Sequence, residues 1–412
     1  FSSMGSSIEE SESNRLLNRI ESKFPVDVNA GERPISVEEI QDFVERTLME
    51  ENYYRELKSY ILYREGRARR RISRQRIAAE LESIPGVTGV LAGIQKEFIQ
   101  EEYELEQLNA RFQALLSPGL TDLEKLAVLV KACAELTTQE APKWEMIAAR
   151  IRMLSFDLQL DRQMQAFHIH SFYEKICWLT EQGLYGKYIL ENYSQEEIGE
   201  FETWLCKKRN DLFTFSSLEL LLGRYTICSR TGEPLEAPQE MFMGIAMHLA
   251  MKEKKDRSIW VRRFYDMLST LKVTMATPTL SNARKPYHQL SSCFIDTVPD
   301  SLDGIYRSID NFAKVSKYGG GMGMYFGKVR ASGSSIRGFE GAAGGVIRWI
   351  RLANDTAVAV DQLGVRQGAV AVYLDVWHRD LPEFLNLRTN NGDERMKAHD
   401  VFPAVCYPDY FW

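Results

Sequence analysis

Three glycine-rich segments and one cysteine hold the groups in this chain that could do chemistry. The segments are SKYGGGMGM at 316–324, RASGSSIRG at 330–338 and DQLGVRQGA at 361–369. Glycine lets backbone amides approach a phosphate closely, and an arginine supplies a fork of donors for it. Tight turns share this composition, so no single segment is specific. GGGMG follows a helical stretch and leads into a strand-like one, so it is not a strand-to-helix dinucleotide fingerprint, and it lacks the Lys-Ser/Thr ending of a P-loop. Arg330, Arg337 and Arg366, interleaved with glycine, together favour phosphate binding. Cys293 opens a strand-like run. A thiol there is either a small packing residue or, facing a pocket, a redox group. Cys133, Cys177, Cys206, Cys228 and Cys406 lie in helical or apolar surroundings and read as inert. His168 and His170 point different ways on a helix, and His378 and His399 read as structural hydrogen-bonders. No metal site and no Ser/His/Asp constellation emerges from the spacing.

The elements that must position these groups change character along the chain. Ser36 and Glu39 form a capping-box pattern ahead of Val37, Ile40, Phe43, Val44 and Leu48. A second helix carries Leu57, Tyr60, Ile61 and Arg64, and the basic run Arg64–Arg71 reads as a solvated helix end and linker. Residues 76–115 read as long and helical, and a new helix starts at Thr121 and Glu124 after the break at 117–119. From 156 to 227 the chain reads as helical again, with Phe167, Tyr173, Trp178, Tyr185 and Tyr188 as core aromatics. Near Val273 glycine, serine and threonine rise. Strands are predicted at 291–295, 323–330 and 369–377, and helices at 301–317 and 342–358. Alternation of this kind argues an α/β core.

With 412 residues the chain can build more than one core, and 44% hydrophobic and 26% charged residues are ordinary for a globular protein. A net charge of −6 gives no electrostatic reason for nucleic acid or an anionic membrane as main partner. No apolar run is long enough to span a bilayer, and the start FSSMGSSIEESESN lacks the pattern of a secretory signal. Scattered cysteines without a CxxC pair suggest neither a zinc ribbon nor a disulfide framework, and reduced thiols in the cytoplasm are the expectation.

The blocks MATPTLSN (275–282), QLSSC (289–293), DSLDGI (300–305), SKYGGGMG (316–323), VRASGSSIRG (329–338), NDTAVAVDQLGVRQGA (354–369), WH (377–378) and GDERMKAHD (392–400), in this order, resemble the large subunit of class I ribonucleotide reductases. GKYI (186–189), GRYTI (223–227) and EAPQEMFM (236–243) resemble that family's helical domain, and residues 34–71 resemble the second half of an ATP cone. The resemblance implies an α/β fold in three parts. These are a partial ATP cone (1–75), an α-helical N-terminal domain (76–270) and the first half of a ten-stranded α/β barrel (271–412).

The implied activity is radical reduction of ribonucleoside diphosphates to deoxyribonucleotides for DNA synthesis, under allosteric control by ATP and deoxynucleoside triphosphates. By its place in the motif, Cys293 resembles one of the two thiols that supply reducing equivalents, with Thr277 and Ser292 at positions that contact substrate. Asp300, Lys317, Arg330 and Arg337 match the effector-binding region, and Gln362 and Arg366 the specificity loop. The implied partners are a metal-containing small subunit as radical source, a second large subunit, and thioredoxin or glutaredoxin as reductant. No cofactor is implied within this chain. The family's AsnxCysxGlu motif, second redox cysteine and shuttle cysteines are expected beyond Trp412, so the isolated fragment is expected to be inactive and, with a half-open barrel, poorly soluble. The alternatives are an adenosylcobalamin-dependent reductase and a non-catalytic deoxynucleotide sensor.

Overall fold

The computed structural model describes residues 9–29, 33–360 and 368–412. The chain divides into two compact units, Phe1–Ser155 and Phe156–Trp412, with the division inside the helix Trp144–Ala166.

The first unit is helical. Ser36 caps the helix Val37–Glu50: its hydroxyl accepts from the Glu39 amide at 3.1 Å, while Glu39 accepts from the Ser36 amide at 2.9 Å. Thr121 and Glu124 repeat the arrangement at the start of Asp122–Glu135. Each box satisfies two amides that the first turn would otherwise leave unpaired. The basic run is not a helix end. Arg64–Arg71 lies within one continuous helix, Tyr54–Glu80, whose arginines reach neighbouring elements: Arg64 to Asp42 and Glu45, each at 2.8 Å, and Arg70 to Glu104 at 2.8 Å. The stretch 76–115 is broken where a single long helix was expected. Pro85 has no amide to donate and Gly86 takes φ +85°, so the chain turns before Val87–Glu97 and again, through a short 3-10 turn, before Leu105–Leu115.

The second unit places a helical layer ahead of a four-stranded sheet. Tyr185 is fully buried there as expected, whereas Phe167 is 39% exposed and stacks on Trp178 with ring centroids 4.5 Å apart. The strands are β1 (Cys293–Thr297), β2 (Gly321–Tyr325), β3 (Val370–Asp375) and β4 (Val401–Cys406), all parallel and in sequence order. The second predicted strand is displaced: the chain leaves the sheet after Tyr325, and a turn closes with Val329 N–H donating to the Phe326 carbonyl. β4 lies outside the strands predicted from the sequence, and it contains Pro403. Proline is tolerated on an outer strand, where no ladder donor is missed.

Helices Leu302–Lys317 and Val346–Ala359 connect successive strands and cover one sheet face. Met322, Met324, Val370, Val372, Leu374 and Val401 point into that core and meet Ile305, Phe312, Val346 and Ile350. Burying a side chain such as Phe312 completely contributes about 2–3 kcal/mol. The opposite face is bare. Ile295 is 90% exposed and Phe402 57%, although parallel sheets are ordinarily covered on both sides.

Candidate functional site: a thiol on the open sheet face

The bare face forms a concavity of about 670 Å³ that holds Cys293. Alternation along each strand puts Cys293, Gly321, Gly323, Ala371 and Tyr373 on this side. Cys293 stands opposite Gly321 in register, and the Gly321 amide donates to the Ser292 carbonyl at 2.8 Å. A Cβ built on Gly321 would meet nothing closer than 3.7 Å, so the missing side chain leaves free volume beside the thiol. Cys293 is exposed, and the Ser292 hydroxyl lies 3.4 Å from its sulfur. This is an accessible thiol with a polar neighbour and room for a ligand, the arrangement a redox cysteine requires and a packing cysteine does not.

Thr277 begins the short helix Thr277–Asn282, and its hydroxyl is 3.3 Å from the Tyr225 hydroxyl. The same helix braces the segment before Cys293. Thr279 donates to the Leu290 carbonyl at 3.3 Å, and Asn282 Nδ2 donates to the carbonyls of Gln289 at 3.0 Å and Tyr318 at 3.3 Å. Beneath it lies an ion pair that sequence reading missed. Arg284 is 0% exposed; its Nε donates to Glu236 at 2.6 Å, and it also donates to the carbonyls of Leu280 and Tyr225, each at 2.7 Å. Burial opposes the Arg284 charge, but the Glu236 carboxylate overcomes it and holds the guanidinium protonated. Glu236 also accepts from the Ile227 amide at 3.0 Å, and Gly244 makes room for Arg284, since a Cβ there would fall 2.8 Å from Cδ.

Further along the open face, Tyr325 donates to Asp375 at 2.5 Å, and this bond lifts the phenol to about 12. Cys406 lies on the same face of β4, with its thiol pushed up by burial and then by Asp375. Three strand spacings separate it from β1, roughly 14 Å, whereas a disulfide needs Cα atoms within about 7 Å. Cys133 is fully buried and burial pushes its thiol far up, as expected for an inert cysteine. Cys228 is not in a helix; it pairs as an isolated bridge with Pro234.

The effector candidates separate into two places. Asp300 and Arg330 meet directly: Arg330 Nε donates to Asp300 at 2.8 Å, its amide to the same carboxylate at 3.3 Å, and Nη1 to the Ser335 carbonyl at 2.9 Å. Arg337 stands exposed on the following loop with φ +50°, in a turn closed between Ile336 and Phe339. Asp380 anchors that loop. This buried carboxylate accepts from the amides of Ser332 and Val346, each at 2.9 Å. His378 is structural as expected: Nδ1 accepts from the Asp380 amide at 3.1 Å, so Nε2 donates to the Val329 carbonyl at 2.8 Å. Lys317 is not part of this cluster. It ends the Leu302–Lys317 helix, about 22 Å along the axis from the end nearest Asp300. Gln362 and Arg366 lie outside the described residues.

In the first unit, Arg64, Arg67, Arg71, Arg74 and Lys96 line a groove of about 620 Å³ together with Gln41 and Tyr63. The basic run therefore forms one wall of a cavity, which its linear pattern alone did not reveal.

Three family models match in succession: the ATP cone domain at residues 2–69, the ribonucleotide reductase all-alpha domain at 211–288 and the ribonucleotide reductase barrel domain at 291–412. The cone match begins at residue 2, well before the residue-34 start of the motif resemblance. The chain is 62% identical over 386 residues to the ribonucleoside-diphosphate reductase subunit alpha of Treponema pallidum, covering 94% of this chain and 46% of that protein. It is 39% identical over 309 residues to the Helicobacter pylori subunit alpha (75% and 38% covered), and 30% identical over 292 residues to the Escherichia coli reductase 1 subunit alpha (70% and 38%). The chain belongs to the ribonucleotide reductase large-subunit family and corresponds to its amino-terminal portion. It spans less than half the length of the curated relatives it matches.

Proposed function

We propose that this chain is part of the catalytic subunit that reduces ribonucleoside diphosphates to deoxyribonucleoside diphosphates, and that Cys293 is one of the two thiols that reduce the substrate. The observation that carries this reading is the exposed Cys293 thiol on the open, glycine-lined face of a sheet within the barrel-family match. The balanced chemistry is loss of the substrate's 2′ hydroxyl as water, with two thiols ending as one disulfide. Cys293 suits it because a thiol supplies both a proton and an electron. Ser292 and Thr277 are assigned to substrate contact, and the room beside Gly321 to the sugar. The reaction is initiated by a radical from a separate, metal-containing small subunit, and the disulfide is reset by thioredoxin or glutaredoxin. The setting is cytoplasmic.

The Asp300–Arg330 pair with Arg337 is assigned to a deoxynucleoside triphosphate effector, with Asp300 for the ribose and the arginines for phosphates. Lys317 fits the same site only if two large subunits pair their Leu302–Lys317 helices antiparallel, which brings the Lys317 end of one beside the Asp300 end of the other. The exposed Leu302 (61%) and Tyr306 (53%) on that helix support such a homodimer. Gln362 and Arg366 are assigned to the loop that relays effector identity to substrate choice. The arginine-lined groove of the first unit, within and beside the cone match, is assigned to ATP or dATP.

The test is a diphosphate-reduction assay on the complete large subunit with its small subunit, with and without deoxynucleoside triphosphates. Arg330→Met is expected to keep basal reduction while weakening effector binding roughly tenfold or more, the effect of losing a charge-assisted contact. Absence of any diphosphate reduction by the unaltered complex contradicts the proposal.

A further inference from the structure

A second cavity of the Phe156–Trp412 unit, about 480 Å³, lies apart from the Cys293 face and from the Asp300–Arg330 pair. Its walls come from the turn at Gly183, the end of the helix Phe215–Arg224, the end of the helix Thr277–Asn282 and the end of the helix Leu302–Lys317. Three cations line it, Arg224, Lys285 and Lys317, and no carboxylate does among the described residues. None of the three forms an ion pair with a described carboxylate, whereas the buried cations Lys175 and Arg284 are each paired with a glutamate. Ser281, also in the lining, is 2% exposed, yet its hydroxyl has no hydrogen-bond partner among the described residues. At the rim, Tyr287 is 70% exposed and stacks on Tyr318 with ring centroids 5.6 Å apart, leaving one ring face free.

We propose that this cavity binds the phosphate group of a small ligand, with Arg224 and Lys285 as its cations, the Ser281 hydroxyl as a donor and the Tyr287 ring against the remainder of the molecule. Converging positive charge without a counter-charge is costly in a half-enclosed space, and an orphaned buried hydroxyl adds to that cost; a phosphate relieves both. Burial, and then the neighbouring Arg284, bring the Lys285 amine down to about 8, with Glu236 and Cys228 opposing the shift. Glu236 is already committed to Arg284, so the lysine retains an unmet demand for an anion. Lys317 reaches the same cavity, but its assignment to an effector across a dimer is independent of this site, which stands on Arg224, Lys285 and Ser281.

Trace acylation of Lys285, followed by peptide mass spectrometry, reads occupancy of this cavity directly. The probes are inorganic pyrophosphate, ATP and adenosine. Pyrophosphate and ATP are expected to protect Lys285, and adenosine is not. Arg224→Met raises the half-protecting concentration of pyrophosphate roughly tenfold or more, whereas Arg224→Lys restores most of the protection and Arg330→Met changes nothing. Arg224 is exposed, so its replacement leaves the fold intact. Protection by ATP at lower concentration than pyrophosphate, with the difference erased in Tyr287→Ala, identifies a nucleotide; equal protection identifies a simple phosphate compound. Unchanged Lys285 labelling with both phosphates, or protection indifferent to Arg224→Met, overturns the proposal.

Discussion

Cys293→Ser is expected to reduce deoxynucleotide formation by the complete enzyme to background while leaving thermal unfolding and effector binding unchanged. Serine keeps the size and the hydrogen bonding of the thiol but cannot give up an electron at an accessible potential or close a disulfide. Cys293 is exposed on the sheet face and contributes no core contact, so the loss falls on chemistry alone. Measuring diphosphate reduction beside the unfolding midpoint separates the two effects. A variant that turned over normally would remove Cys293 from the reaction, and one that lost both properties would make it a packing residue.

Arg284→Met is expected to destabilise the second unit by about 3–5 kcal/mol, because it leaves the Glu236 carboxylate buried and uncompensated. The carbonyls of Leu280 and Tyr225 also lose their donor. Both sit on segments that hold the Thr277–Asn282 helix, so the damage reaches the loop before Cys293. Replacing both charges, as Arg284→Met with Glu236→Leu, is expected to recover much of the loss, since the apolar pair requires no desolvation of charge. Chemical denaturation of the three variants measures this. If Arg284→Met alone is neutral, the buried pair does not hold this region together.

The fold was legible in the sequence where the information is local. The capping boxes at Ser36 and Thr121, the helix at 301–317 and the placement of Cys293 at a strand start all follow from short-range patterns, and the structure reproduces them. Ordered blocks from 275 to 400 also carried the family. What stayed hidden depends on distance along the chain. Arg284 and Glu236 are separated by 48 positions, and no periodicity joins them. Asp380 organises the loop bearing Arg330 and Arg337 from 48 positions beyond Ser332, through backbone amides that any sequence would supply. Lys317 shares a motif region with Asp300, but a sixteen-residue helix carries it away, so proximity in sequence misled. β4 was not among the predicted strands, and it carries a proline, a residue that sheets tolerate only where its missing amide is not called on. In the first unit, Pro85 and Gly86 break the helix although helical sequence resumes directly after them in Val87–Glu97.

The bare sheet face links these observations to function. A parallel sheet with one side covered by helices and the other occupied by Cys293, two glycines and exposed aromatics is poorly arranged as an ordinary core and well arranged as the wall of a reaction chamber. Gly321 opens space next to the thiol and Gly323 lets the Tyr373 ring approach the sheet, whereas Ile295, Tyr373 and Phe402 line the rest apolarly. The same geometry excludes Cys406 as the partner of Cys293.

Thiol mapping after a single turnover tests the redox role of Cys293 most directly. The complete subunit, with its shuttle cysteines replaced by serine so that no exchange can reset the disulfide, is given its small subunit and a ribonucleoside diphosphate but no external reductant, then quenched and alkylated, and each cysteine is scored by mass spectrometry. The prediction is that deoxynucleotide appears in step with loss of the free Cys293 thiol to a disulfide, while Cys133, Cys177, Cys206, Cys228 and Cys406 remain alkylatable after unfolding. Deoxynucleotide formed with Cys293 still free would contradict the assignment.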